Sequence, residues 1–348
     1  MPFESFPFVI GWELTLACNL RCQHCGSSAG QMRTNELTTD EALTICNQFP
    51  ELFVKEVDFT GGEPMMRKDW TTISRHLTGM GITTKVLTNG ILLKPDIIPH
   101  MKEAGISGVG ISIDGLEKTH DRIRSRPGLF KEIMAGIALL QKNDIPASVI
   151  TTANSLNIRE LPALMNQLIE HGVPQWQIQP VFAFGRVLES PALRFSRDEY
   201  LMLGKFIHDF SPQAQSEGLT ISPADSFGYF TGLDTREPPW GGCPAGWVSC
   251  GITSDGRIKP CLSLPDVYTQ GDLRKRTLWD IWFDETAFSF TRGFARDNLG
   301  PNCSSCDMGG QCKGGCSAMS VGYTGSFHND PYCFHAICGK NQPVLKRT

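Results

Sequence analysis

Short runs rich in β-branched and aromatic residues alternate with longer stretches whose apolar positions recur every three or four residues. The runs are Phe8 to Leu16, Glu56 to Thr60, Thr83 to Thr88, Gly108 to Asp114, Ala147 to Thr152 and Trp176 to Val181. Between them, Thr39 to Phe49, Phe130 to Lys142 and Ile158 to His171 carry helical spacing. Alternating strand and helix predicts parallel strands joined by right-handed crossovers. Two architectures satisfy that pattern, a doubly wound sheet and an open, partial (β/α)6 barrel of the TIM type. Periodicity does not choose between them. In both, the loops at the carboxyl ends of the strands carry the chemistry.

After Val181 the rhythm thins. Ser196 to Gln215 reads as a helix, with Ser196 as N-cap and Glu199 three residues on completing a capping box. Pro223 to Gly242 is rich in proline, glycine and aromatics and reads as a connector. From Cys243 onward glycine and cysteine dominate, and too little apolar material remains for a separate core, so that region needs metal to hold it. The expected division is 1–195 for the β/α part, 196–242 for a helix and connector, and 243–348 for the cysteine-rich part.

Composition narrows the setting. Of 348 residues, 41% are hydrophobic and 20% charged, an ordinary globular balance, and the net charge of −4 points to neither nucleic acid nor anionic membrane. No apolar run approaches the ~20 residues needed to cross a bilayer. The first residues include Glu4 and lack the layout of a secretion signal. The 13 cysteines are an odd number, which full disulfide pairing would not leave. The expectation is a reducing cytoplasm in which clustered thiols bind metal or react.

Cys18, Cys22 and Cys25 follow the first strand with C-x3-C-x2-C spacing. Three thiolates on one loop suit a zinc site completed by His24 or a distant residue, or a [4Fe–4S] cluster with one iron left open. The second strand exits into Gly61-Gly62-Glu63-Pro64. Two glycines allow close approach to the backbone, and a carboxylate beside them can take an ammonium group.

These motifs resemble those of the radical S-adenosylmethionine (radical SAM) superfamily. Cys18, Cys22 and Cys25 match its cluster motif, and Gly61 to Pro64 match its GGEP element. Thr88-Asn89-Gly90, Ser112-Ile113-Asp114-Gly115, His120-Asp121 with Arg124, and Asn154 follow in order on later loops. His24 departs from the pattern, which often has an aromatic there. The resemblance implies a [4Fe–4S] cluster whose open iron chelates S-adenosylmethionine. It also implies that Glu63 holds the ammonium, Ser112 and Asp114 meet the ribose, and Arg124, from a segment that also holds Arg122 and Arg126, meets the carboxylate. Gly61, Gly62, Pro64, Asn89 and Asn154 complete the cofactor-binding set, and no catalytic base or hydrogen donor is named.

The C-terminal cysteines alone would fit one or two zinc ribbons. After a radical SAM core, Gly256-x4-Cys261 and Cys303-x2-Cys306-x5-Cys312-x3-Cys316 resemble the SPASM domain, which implies two auxiliary [4Fe–4S] clusters. By that resemblance Cys243, Cys250, Cys261 and Cys316 hold the first, with Cys250 the weakest assignment, and Cys303, Cys306, Cys312 and Cys333 the second. Cys46 and Cys338 remain over.

SPASM enzymes mostly modify peptides, so the leading expectation is a maturase that installs an oxidative side-chain crosslink in a ribosomally made precursor. A peptide epimerase and an enzyme of small-molecule cofactor or antibiotic synthesis are the alternatives. A non-enzymatic iron–sulfur or zinc protein would form no 5′-deoxyadenosine. Leu262 stands where the sulfatase-modifying branch has aspartate, which argues against that branch. The first strand starts near residue 8, so no leader-binding domain is expected in cis; a separate protein presents the leader, or the enzyme binds peptide unaided. A flavodoxin or ferredoxin is the expected reductant. Phe182 to Arg186 and Pro223 to Trp240 are expected to face the substrate.

Overall fold

The computed structural model describes residues 5–224 and 241–338. All six expected strands form: β1 (Val9–Thr15), β2 (Glu56–Gly61), β3 (Thr83–Thr88), β4 (Gly108–Ser112), β5 (Ala147–Ala153) and β6 (Gln175–Pro180). The helices between them are α1 (Thr39–Cys46), α2 (Trp70–Gly79), α3 (Ile97–Glu103), α4 (Glu117–Arg124), α5 (Leu129–Lys142) and α6 (Leu161–Glu170). Helix α1 stops at Cys46, short of the expected Phe49. Asn47 caps it, and Pro50 opens a separate 3-10 turn that replaces its continuation. Helix α7 (Arg197–Ser216) carries the expected capping box, with the Ser196 side chain accepting from the Glu199 amide.

Strands β1 to β6 lie side by side in chain order, every neighbouring pair parallel. A doubly wound sheet reverses its order at a switch point; this one never does, and the winding is that of a partial barrel. The sheet is also longer than the six strands read from sequence. Strand β7 (Thr220–Pro223) extends it beyond β6, and β8 (Ser249–Ile252), from the cysteine-rich region, pairs in parallel with the other edge of β1. Antiparallel β9 (Arg257–Lys259) and β10 (Gly271–Asp272) finish that side. The sheet thus runs through both sequence positions chosen as domain divisions. Periodicity hid β7 and β8 because each spans only four residues.

The core lies between sheet and helices. Trp12 of β1 sits edge-on to Phe49 at 5.9 Å and to Phe59 at 6.5 Å between ring centres. Polar contacts hold the cysteine-rich region to the barrel. Glu13, only 5% exposed, accepts from Arg33 and from the backbone and side chain of Ser254. Arg33 reaches on to Asp266 at 3.1 Å. Among the described residues no helix is long and apolar enough to cross a membrane.

One partly buried carboxylate makes stability depend on pH. Burial, reinforced by Glu56, pushes Asp58 of β2 up to about 6 although Lys85 opposes it. Its Oδ1 is enclosed without a hydrogen bond in the described structure. A raised folded pKa means that the native state keeps a proton the unfolded chain has released. Stability from this group is therefore greatest below about pH 4 and falls as pH rises to about 6, by roughly 2–3 kcal/mol. Asp58→Asn should remove that slope, read as the difference between the two proteins in urea midpoints from pH 4 to 7.

Candidate cluster and cofactor site

The loop after β1 places Cys18, Cys22 and Cys25 around a cavity of about 340 Å³ at the carboxyl end of the sheet. The backbone amide of Leu20 donates to Cys18 Sγ, and that of Ala29 to Cys25 Sγ, each at 3.4 Å. Asn89 Nδ2 approaches Cys18 Sγ at 3.8 Å, and Arg124 Nη1 approaches Cys22 Sγ at 4.0 Å. Amide and guanidinium donors aimed at sulfur stabilise thiolate, the form in which cysteine binds metal. Among the described residues no three His, Cys, Asp or Glu side chains close on the volume of a single ion. Three soft donors spread around a roomy cavity fit a [4Fe–4S] cluster.

The Gly61-Gly62 pair allows the β2 exit to touch this loop. A Cβ on Gly61 would lie 2.2 Å from Thr15 O, and one on Gly62 would lie 2.1 Å from Ala17 O. The close approach that needs glycine is therefore protein backbone against protein backbone, although both residues also line the cavity. Pro64 is buried in the turn that follows.

Glu63 is fully buried behind the Thr88-Asn89 turn and is not on the cavity lining. Both of its oxygens accept from Thr88 Oγ1, and one from the Asn89 amide at 2.9 Å. Burial pushes its carboxyl up to about 7 against those hydrogen bonds. Asn89 in turn donates to Asn19 Oδ1 at 2.7 Å, so Glu63 orders a turn that reaches the cysteine loop.

Behind Ser112, which lines the cavity, lies a buried charge cluster. Asp114 Oδ2 pairs with Arg124 Nε at 2.7 Å and with His24 Nε2 at 2.9 Å. Its Oδ1 accepts from the Thr152 amide, and its own amide donates to His120 Nδ1. Burial opposes ionisation of Asp114, but Arg124 and His24 outweigh it and hold the carboxyl far below the usual range. Burial, with Arg124 beside it, pushes His120 down to about 3, so that ring is neutral. Asn154 is buried in the β5 exit turn, where its side chain donates to Thr152 O and accepts from the Leu156 amide.

Sequence reasoning missed part of the lining. Gln177 and Gln179 of β6, with Thr60 and Glu13, face the same cavity. The signal was present: β6 alternates polar residues with buried Trp176 and Ile178, whereas a parallel strand covered on both faces is apolar throughout. Phe182, Phe184 and Arg186 line the cavity as expected; Leu262 and Ser263 line it too, which was not expected. Residues 225–240 of the second expected substrate-facing segment lie outside the described residues.

In the cysteine-rich region, Cys303, Cys306, Cys312 and Cys333 line one small cavity together with Asp330. Cys250 is buried on β8, directly opposite Ile10 of β1, and burial pushes its thiol up to about 12. Cys316 is buried at the N-cap of the helix Ser317–Thr324, while Cys243 and Cys261 are partly exposed. Cys46 is enclosed in the core, and burial pushes its thiol up to about 12, so it carries no thiolate at neutral pH. The side chain of Cys338 lies outside the described residues.

Residues 12–168 match the radical SAM superfamily, and residues 243–307 match the SPASM iron–sulfur cluster-binding domain. An AdoMet-dependent heme synthase of Methanosarcina barkeri is 31% identical over 94% of this chain and 97% of its own. A PqqA peptide cyclase of Bradyrhizobium diazoefficiens is 24% identical over 99% of this chain and 90% of its own. In structure, Streptococcus suis SuiB bound to S-adenosylmethionine superposes with a TM-score of 0.78 at 19% identity, over 95% of this chain and 78% of that one. With the cluster loop, the cofactor cavity and both matched regions in place, the chain belongs to the radical SAM superfamily and carries a SPASM domain, and its cofactors are [4Fe–4S] clusters and S-adenosylmethionine.

Proposed function

We propose that this radical SAM enzyme oxidises a side chain of a tetrapyrrole cofactor precursor, an iron porphyrin bearing propionates. The observation that carries the reading is the end-to-end similarity to an AdoMet-dependent heme synthase. The cavity supports it with an apolar wall of Leu87, Ile150, Phe182, Phe184 and Leu262, suited to a flat macrocycle. This moves the expectation from a peptide to the small-molecule alternative.

When bound and reduced, the first cluster with S-adenosylmethionine supplies a 5′-deoxyadenosyl radical that takes a hydrogen atom, and auxiliary clusters offer sites for an electron. Cys18, Cys22 and Cys25 would hold the first cluster. Cys243, Cys250, Cys261 and Cys316 would hold one auxiliary cluster, and Cys303, Cys306, Cys312 and Cys333 the other. Gly61, Gly62 and Asn89 would present backbone and amide to the cofactor's amino acid end, with Glu63 lending its charge from behind. Ser112 would meet the ribose, Asp114 would orient Arg124 and His24, and Pro64 and Asn154 would hold their turns in place. A ferredoxin or flavodoxin would supply the reducing electron.

A second reading, a precursor-peptide maturase, is favoured by the Gln177 and Gln179 amides, which can pair with peptide backbone, and by similarity to a PqqA peptide cyclase. One assay separates the two. Anaerobically reconstituted enzyme with dithionite and S-adenosylmethionine is given iron coproporphyrin III or, separately, peptides from short reading frames beside its gene. The porphyrin should lose carbon dioxide and two hydrogens per side chain, with matching 5′-deoxyadenosine, by mass spectrometry. Unchanged porphyrin beside a peptide lighter by two hydrogens would overturn the first reading.

A further inference from the structure

The segment after β6 grips the cluster loop. Gly185, at φ +53°, lies so close that a Cβ would stand 2.3 Å from Gly26 O and 2.4 Å from Cys25 O. Only glycine takes that backbone at that distance. The next residue, Arg186, then makes three hydrogen bonds to the loop. Its amide donates to Cys25 O at 3.1 Å, its Nε to Cys22 O at 2.7 Å and its Nη1 to Ala29 O at 2.9 Å. Carbonyls at two of the three cysteines are therefore held by one side chain and its own backbone.

Arg186 is 7% exposed and lines the cavity shared by the three thiols. Among the described residues it forms no ion pair, in contrast with Arg124, whose charge is met by Asp114 at 2.7 Å. A buried guanidinium bonded only to neutral carbonyls is costly to desolvate unless an anion lies nearby. Three thiolates on a dicationic [4Fe–4S] core leave one net negative charge, and reduction adds a second. A cluster held by these three cysteines would supply the missing counter-charge in the cavity that Arg186 lines.

We infer that Arg186 is the positioning cation of the first cluster: it sets the ligand loop and favours the reduced form by compensating its charge. The inference rests on Cys18, Cys22 and Cys25 being the ligand set, and it is independent of the substrate. A cation whose charge stabilises the added electron raises the cluster's potential, since potentials respond to local charge and hydrogen bonds.

Two variants separate charge from hydrogen bonding. Arg186→Gln keeps donors for the carbonyls without charge, and Arg186→Lys keeps charge with a different geometry. The readouts are iron content and the half-reduction potential of the paramagnetic signal that S-adenosylmethionine perturbs, which singles out the cluster with an open iron. In Arg186→Gln the half-reduction point should move to more negative potential, while Arg186→Lys stays near the parent. If Arg186→Gln loses this cluster's iron, its retention in Arg186→Lys supports the charge role. An unshifted potential in Arg186→Gln, or equal shifts or equal iron loss in both variants, would overturn it. If the parent shows no signal that S-adenosylmethionine perturbs, the ligand set itself fails, and that result is distinct from the others.

Discussion

Alanine at Cys18, Cys22 and Cys25 together should end 5′-deoxyadenosine formation and leave about eight of about twelve irons per chain. Among the described residues no other thiol lines this cavity. Cys46, the last residue of α1, is enclosed in the core, and the remaining described cysteines belong to the region after residue 242. The barrel does not depend on the three side chains, because β1 is held by parallel ladders to β2 and β8 and by Trp12 in the core. Auxiliary sites should therefore fill normally. Iron analysis and mass spectrometry of the reduced, S-adenosylmethionine-treated protein check both halves of the expectation. Retained product would remove the cluster from this loop, and iron for fewer than two clusters would remove the auxiliary assignments.

The second large effect is on stability. Asp114→Asn should cost about 3–5 kcal/mol, the range for removing one partner of a buried ion pair. Asparagine fills the same space and can still accept from the Thr152 amide. What it cannot do is neutralise Arg124, which is 7% exposed and approaches Cys22 Sγ, or meet His24, which sits in the loop between Cys22 and Cys25. The loss therefore falls on the cluster loop as well as on the fold. Guanidinium denaturation of the two proteins at equal pH measures it. Adding Arg124→Met to Asp114→Asn should recover part of the loss, because the charge left unpaired is then gone. A cycle in which the two losses simply add would show that the pair is not what Asp114 contributes.

Much of this molecule was legible before any coordinates. Six strands were readable because each carries a β-branched or aromatic run bounded by turn residues, and α7 because Ser196 and Glu199 spell a capping box. The three-cysteine loop and the Gly61-Gly62 turn were readable because soft ligands and glycines at fixed spacing are rare in ordinary loops. Less legible was what each polar residue does. Glu63, taken as an ammonium contact, is buried under Thr88 and Asn89, and the glycines are required by Ala17 and Thr15 backbone. A motif specifies which residue types stand near a site, while contact with the cavity depends on which strand packs over which.

The order of the first six strands, the cysteine and glycine motifs and the loops that bear them can be read from the chain alone. Those follow from local backbone preferences and from the spacing of donors along one segment. Folding adds what no local pattern holds: β8 pairs with β1, Asp114 meets His24 as well as Arg124, and Arg186 reaches back across 164 positions to Cys22 O. Apart from Asp114 with Arg124, ten positions on, these pairings join residues far apart in the chain, and their energy comes from charge and hydrogen bonds shared in a space that exists only after the barrel has folded.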